Sequence, residues 1–144
     1  MTLAGTVVLV DAADATSSGA SGDSTEVAAA VLAAGYAGRL LAPVVDPEAV
    51  ARAVKAGIGA TVTVSLGGGL DPRFTPLQLT ARVRQLSDGE FVSEDFRAPW
   101  HAGRCAVLEA RAATFVVTCR AVNLSDRRCS WLTARNSDGS GSWW

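Results

Sequence analysis

Residues 39–66 read R-L-L-A-P-V-V-D-P-E-A-V-A-R-A-V-K-A-G-I-G-A-T-V-T-V-S-L, and the fold turns on how they are parsed. Residues 39–45 form an apolar run that reads as a strand, with Pro43 weakening its place in a ladder because proline has no N–H to donate. Asp46-Pro47-Glu48 then opens a helix in three steps: an N-cap carboxylate, a proline at the first helical position and an early acidic side chain. Val50, Ala53 and Val54 fall on one helical face, and Gly57 ends it. Residues 61–66 (T-V-T-V-S-L) follow as another strand.

Upstream, residues 6–10 (T-V-V-L-V) are a continuous β-branched run of the kind found in strands covered on both faces. Residues 11–23 are small, polar and rich in Gly and Ser, hence a loop. Asp23 with Glu26 three positions on predicts a capped helix start, with Val27, Ala28, Val31 and Leu32 on its buried face and Gly35 at its end. The order to this point is β-α-β-α-β, which predicts parallel strands with right-handed crossovers.

The pattern changes after Gly67-Gly68-Gly69. Leu77, Leu79, Ala81 and Val83 alternate with polar residues, as in a half-buried strand. Asp88-Gly89 signals a hairpin turn into Phe91 and Val92, and residues 104–110 and 114–122 predict an antiparallel pair around a tight turn. The expected class is α/β: a parallel βαβαβ half followed by antiparallel strands, one mixed sheet with flanking helices.

Composition narrows the function. The chain has 144 residues, of which 49% are hydrophobic and 19% charged, enough for one domain with a real core. A net charge of −1 with no Lys/Arg block gives no electrostatic basis for binding nucleic acid or an anionic membrane. No apolar run approaches the ~18–20 residues of a membrane span, and the start lacks the basic residues of a signal peptide, so a cytoplasmic location is expected. Cys105, Cys119 and Cys129 form no CxxC pair, and the first two read as small core residues.

Chemistry concentrates in residues 11–25, D-A-A-D-A-T-S-S-G-A-S-G-D-S-T. A strand, a glycine-containing loop and a helix start together gather backbone N–H groups around one spot; such a spot can hold a carboxylate or phosphate, but by itself it reads first as a structural turn and cap. The loop is neither a Walker loop nor G-x-G-x-x-G. No autonomous metal site is expected. His101 is the one histidine, HExxH is absent, and Asp11 with Asp14 reads as a turn or cap before a cation site. No nucleophile motif accompanies the serines, so no catalytic residue is assigned within the chain.

This loop resembles the signature that opens the C-terminal domain of the microcystinase C (MlrC) type metallopeptidases, where an Asp, often followed by Asn-Pro-Gly-Gly or by Ala-Thr-Ser-Ser, leads to a Gly-Asp-Ser/Thr helix start; Ala15-Thr16 takes the second form. Asp14, Gly19, Gly22 and Asp23 match the pattern, and the similarity continues through V-D-P-E-A-V (45–50), A-G-I-G-A-T-V (56–62), G-G-G-L-D-P-R-F-T-P-L (67–77), W-H-A-G-R (100–104) and V-V-T-C-R (116–120). The resemblance implies a zinc-dependent hydrolase of peptide or amide bonds that acts on small or cyclic peptides. It also implies that the zinc ligands lie in a larger N-terminal domain against which this one packs. Carried over to this chain, it gives Asp14, Ser17, Ser18, Gly19, Gly22 and Asp23 a cleft-lining or substrate-contact role, with no metal ligand and no cofactor of its own.

The domain is expected over residues 5–127. Residues 129–144 (C-S-W-L-T-A-R-N-S-D-G-S-G-S-W-W) lose hydrophobic periodicity and carry three of the four tryptophans. GC-rich codons shifted by one base from Arg128 spell a sensible continuation, so 128–144 is expected to be a non-native or disordered tail. Two other readings stand beside the inactive-alone peptidase domain. One is a small anion-binding module using the Asp/Ser/Gly loop at a helix N-terminus; the other is a pseudogene product without function.

Overall fold

A computed structural model of the chain describes residues 5–94 and 96–122; the expected tail at 128–144 lies outside the described residues. Two short 3₁₀ turns, Ala12–Asp14 and Thr16–Ser18, precede helix α1 (Glu26–Ala33), strand β1 (Leu40–Val45), helix α2 (Pro47–Ala56) and strand β2 (Thr61–Leu66). Strands β3 (Leu77–Ser87), β4 (Glu90–Val92), β5 (Pro99–His101), β6 (Cys105–Ala110) and β7 (Ala113–Thr118) complete the order. Five strands make one mixed sheet in the order β1-β7-β6-β3-β2, and β4 and β5 pair separately.

The α/β class and the mixed sheet agree with the sequence reading; α2 forms where its cap placed it, and α1 starts at Glu26, later than the Asp23 cap predicted. Asp46 accepts from the Ala49 amide at 2.9 Å, Pro47 occupies the first turn, and Gly57 at φ +86° closes α2. Ala49, Val50 and Ala53 of α2 are buried against the face of the sheet that carries Val64, Leu66, Val83, Leu108, Phe115 and Val117. Burial of a Phe115-sized side chain contributes about 2–3 kcal/mol, so this layer holds α2, and with it Asp46, in place. Pro43 sits in β1 at the edge of the sheet, where its missing N–H is tolerated.

Three local expectations differ. Residues 6–10 carry no strand, and Val7, Val8, Leu9 and Val10 are 59%, 72%, 56% and 79% exposed. Their apolar run has the composition of a doubly covered strand, but no described element covers either side. The parallel neighbour of β1 is β7, while β2 lies at the far edge, antiparallel to β3. The reason is visible in T-V-T-V-S-L: Val64 and Leu66 point inward while Thr61, Thr63 and Ser65 are exposed. That period-2 pattern suits a sheet with one wet face, where Thr63 pairs with Thr80 and Gln78 donates to Ser65. Finally, Asp88-Gly89 does not join β3 to β4 as a hairpin, because β4 pairs with β5 through Phe91 and Trp100. Gly89, at φ +77°, instead lets the chain pass close against Gly103, and its carbonyl accepts from the Ala102 amide.

The β6–β7 pair is antiparallel as expected, closing at Ala110 and Ala113 with Arg111 at φ +53°. Cys105 is buried and donates to the Gly103 carbonyl, and Cys119 packs against the main core; both are free thiols. Burial pushes the Cys119 thiol above its ordinary pKa.

Candidate functional site

At the ends of β1 and β2, three aspartates bind three loops together through backbone amides. Asp14 Oδ1 accepts from the Gly22 amide at 2.8 Å and the Ser21 hydroxyl at 3.2 Å, and its Oδ2 accepts from the Ser24 amide at 2.7 Å. Asp23 is fully buried; its Oδ2 accepts from the amides of Leu70 (2.7 Å) and Asp71 (3.0 Å), and its Oδ1 from the Ser21 hydroxyl at 2.5 Å. Asp46 caps α2 with Oδ1 and accepts from the Gly67 amide at 2.9 Å with Oδ2. The backbone adds two ties: the Val45 amide donates to the Gly22 carbonyl, and the Gly68 amide to the Asp23 carbonyl.

The loop therefore forms around its own carboxylates. Asp23 is not the N-cap of α1, as its capping-box spacing predicted; Thr25 holds that position without a side-chain cap bond. The competing donors won because a buried carboxylate gains more from two converging amides than from one. Gly22, at φ +76°, passes so close to Thr16 and Val45 that a Cβ there would lie 2.5 Å and 2.8 Å from their methyl groups. Gly19, Ser17 and Ser18 form an exposed turn held by the Gly19 amide donating to the Thr16 carbonyl. Of the six candidate residues, Asp14, Gly22 and Asp23 are thus committed to holding the loop, and Ser17, Ser18 and Gly19 are the ones presented to solvent.

Two contributors were not assigned from sequence. Asp46 was read as a cap alone, and its second oxygen reaches Gly67. The 67–76 segment was seen only as similarity, yet it supplies the amides that Asp23 binds. Gly67 and Gly68, at φ +73° and +65°, were the available signal for a tight backbone approach. Between the first turn of α2 and this segment lies a pocket of about 310 Å³ lined by Asp46, Glu48, Arg52, Ser65, Gly67 and Leu70.

On the same segment Arg73 grips Asp71: Nη2 donates to Oδ2 at 2.5 Å, Nε donates at 3.0 Å, and the Arg73 amide donates to Oδ1 at 2.9 Å. Those hydrogen bonds hold the Asp71 carboxyl down at about 2, from an ordinary 3.8. A lowered carboxylate pKa means the pair is intact above pH ~4 and is lost as pH falls through about 2. Asp71 should therefore titrate near 2 by carboxyl-carbon NMR, and Arg73→Ala should return it toward 3.8. A titration unchanged by Arg73→Ala would remove Arg73 as the cause.

Among the described residues no group of three or more His, Cys, Asp or Glu side chains is placed to hold a metal ion. The donor chemistry agrees, since Asp14, Asp23 and Asp46 already spend their oxygens on amides and hydroxyls. These residues do not fit a zinc ion.

The sequence model of the family described as MlrC C-terminus matches residues 9–131. The chain belongs to the MlrC C-terminal family. Its fold is also that of part of a proposed metallopeptidase from Mesorhizobium sp. BNC1, known from a crystal structure. The two align with a TM-score of 0.74 and 32% identity over 80% of this chain. That alignment takes in 24% of the Mesorhizobium chain, so this MlrC C-terminal domain spans about a quarter of its relative's length. No curated protein matches the sequence. Among the described residues of the MlrC C-terminal domain, no helix is long and apolar enough to cross a membrane.

Proposed function

We propose that this chain is the cleft-forming C-terminal domain of a zinc-dependent peptide or amide hydrolase resembling microcystinase C, with the metal ligands in a larger upstream domain of the same protein. The observation that carries this reading is a loop whose Asp14, Asp23 and Asp46 each accept through both oxygens, within a family domain that makes up a quarter of a proposed metallopeptidase. Asp14, Asp23 and Asp46 fix the shape of a loop wall but offer no free oxygens to a metal. Ser17 and Ser18, exposed on the turn, face a small peptide substrate and donate to its carbonyls. The domain by itself is inactive.

The anion-binding module is the weaker reading. The Gly22 and Ser24 amides, which an anion at this loop would use, already donate to Asp14. The protein's own carboxylate stands where the ligand would.

A chimera tests the proposal: residues 5–127 replace the matching segment of the Mesorhizobium protein, and cleavage of a peptide that the parent cleaves is followed. The chimera should retain zinc and hydrolysis, and Ser17→Ala with Ser18→Ala should raise KM about 3–10-fold, the worth of one or two hydrogen bonds, with kcat little changed. A folded, zinc-loaded chimera whose KM ignores both serines would contradict the assigned role.

A further inference from the structure

Residues 6–10 combine two observations that conflict inside this chain. The run T-V-V-L-V is apolar at every position after Thr6, the composition of a strand covered on both faces. Yet Val7 and Leu9 are 59% and 56% exposed, and Val8 and Val10 are 72% and 79% exposed. Their amides and carbonyls make no backbone hydrogen bond to any described residue. Four consecutive aliphatic side chains in water are costly, since each forgoes roughly 1.5–3 kcal/mol of burial. A patch of this kind marks a contact surface.

The strip leads at once into Asp11, whose carboxylate accepts from the Ser24 hydroxyl at 3.0 Å and the Ala13 amide at 3.2 Å. It is thus anchored at one end to the candidate loop and open along the rest. An occupant must cover both faces and also supply backbone donors and acceptors. An open edge of a β-sheet, flanked by apolar side chains above and below, does all of this.

We infer that residues 6–10 are a docking strand, inserted at a sheet edge of the upstream part of the longer family protein. The inference rests on the proposed function for the existence of that part. The relative's length supports the choice of occupant: three-quarters of the Mesorhizobium chain lies outside the segment this domain matches. Insertion beside Asp11 also sets the orientation of the Asp/Ser/Gly loop against the upstream domain, so that Ser17 and Ser18 line a cleft between the two.

The test uses the intact Mesorhizobium protein. A photo-crosslinking p-benzoylphenylalanine is placed at the position that aligns with Val8 of this chain, and the adduct is mapped by mass spectrometry. The expected adduct lies upstream of the matched segment in the same molecule. An adduct within the C-terminal domain itself, an adduct joining two copies, or no adduct at all would overturn the inference. In the isolated 144-residue chain, Val8→Lys should shift the melting temperature by less than about 2 °C, because the strip is not part of this domain's core. A larger loss would also overturn it. Peptidase activity of the relative is read separately: its absence would remove the hydrolase reading while leaving the docking result standing.

Discussion

Asp23→Ala should destabilise the chain by about 3 kcal/mol, one of the two largest losses expected from any single change at the candidate site. The carboxylate is fully buried and accepts from two amides and a hydroxyl that belong to two different loops. Removing it leaves the part-buried Leu70 and Asp71 amides without their carboxylate acceptor and opens a buried void at 23. An unsatisfied buried donor costs about 1–3 kcal/mol, and bonds to a charged acceptor stand at the upper end of that range. For a domain of this size the loss corresponds to roughly 10 °C in melting temperature. Asp23→Asn keeps one acceptor oxygen and should lose about half as much. Urea unfolding of the three proteins measures this directly. An alanine variant within 0.5 kcal/mol of the parent would show that the 67–76 segment does not depend on Asp23.

Gly67→Ala should cost as much or more, about 3–5 kcal/mol, for a different reason. Gly67 sits at φ +73°, where a Cβ is strained by ~1–2 kcal/mol before any contact is considered. Here the added carbon would overlap the Asp23 carbonyl and lie 2.9 Å from the Thr25 methyl. That carbonyl accepts from the Gly68 amide, and the Gly67 amide donates to Asp46. The backbone cannot retreat without breaking both ties, so strain and lost hydrogen bonds add. Gly19→Ala is the control, since Gly19 has the similar φ of +85° but open space around its Cβ position. It should lose only the ~1–2 kcal/mol of backbone strain. Equal losses at the two positions would mean that φ alone, and not the contact with Asp23, sets the requirement for glycine at 67.

Sequence reading recovered what local chemistry specifies. Asp46-Pro47-Glu48 and Gly57 bounded α2 to the residue because capping acts within one turn. The Leu77–Val83 alternation recovered β3 because the period of 2 follows from strand geometry. Pairing was less legible. Nothing local to residues 40–45 states that their parallel neighbour is 113–118, which lies some seventy residues on. The same holds for the Asp23 side chain. Its capping-box spacing with Glu26 is a genuine local signal, overridden by two amides from 67–76 that only the folded chain brings near.

The candidate loop is legible in the sequence as a turn, but the direction its side chains take is not. Gly19, Gly22 and the serines marked a tight, polar turn after residues 6–10. Whether its carboxylates point outward to a ligand or inward to amides depends on neighbours distant in sequence. Asp14 and Asp23 turned inward, which leaves the hydroxyls of Ser17 and Ser18 on the surface.

The measurement that bears most directly on the central claim is zinc titration of the isolated chain by calorimetry, with peptide hydrolysis followed in the same samples. A wall domain whose aspartates are engaged through both oxygens by amides and a hydroxyl should show no stoichiometric zinc binding tighter than about 10 μM, an affinity of roughly −7 kcal/mol, and no hydrolysis at any zinc level. One zinc bound per chain in the nanomolar range, accompanied by peptide cleavage, would contradict the account and move the catalytic centre into these residues.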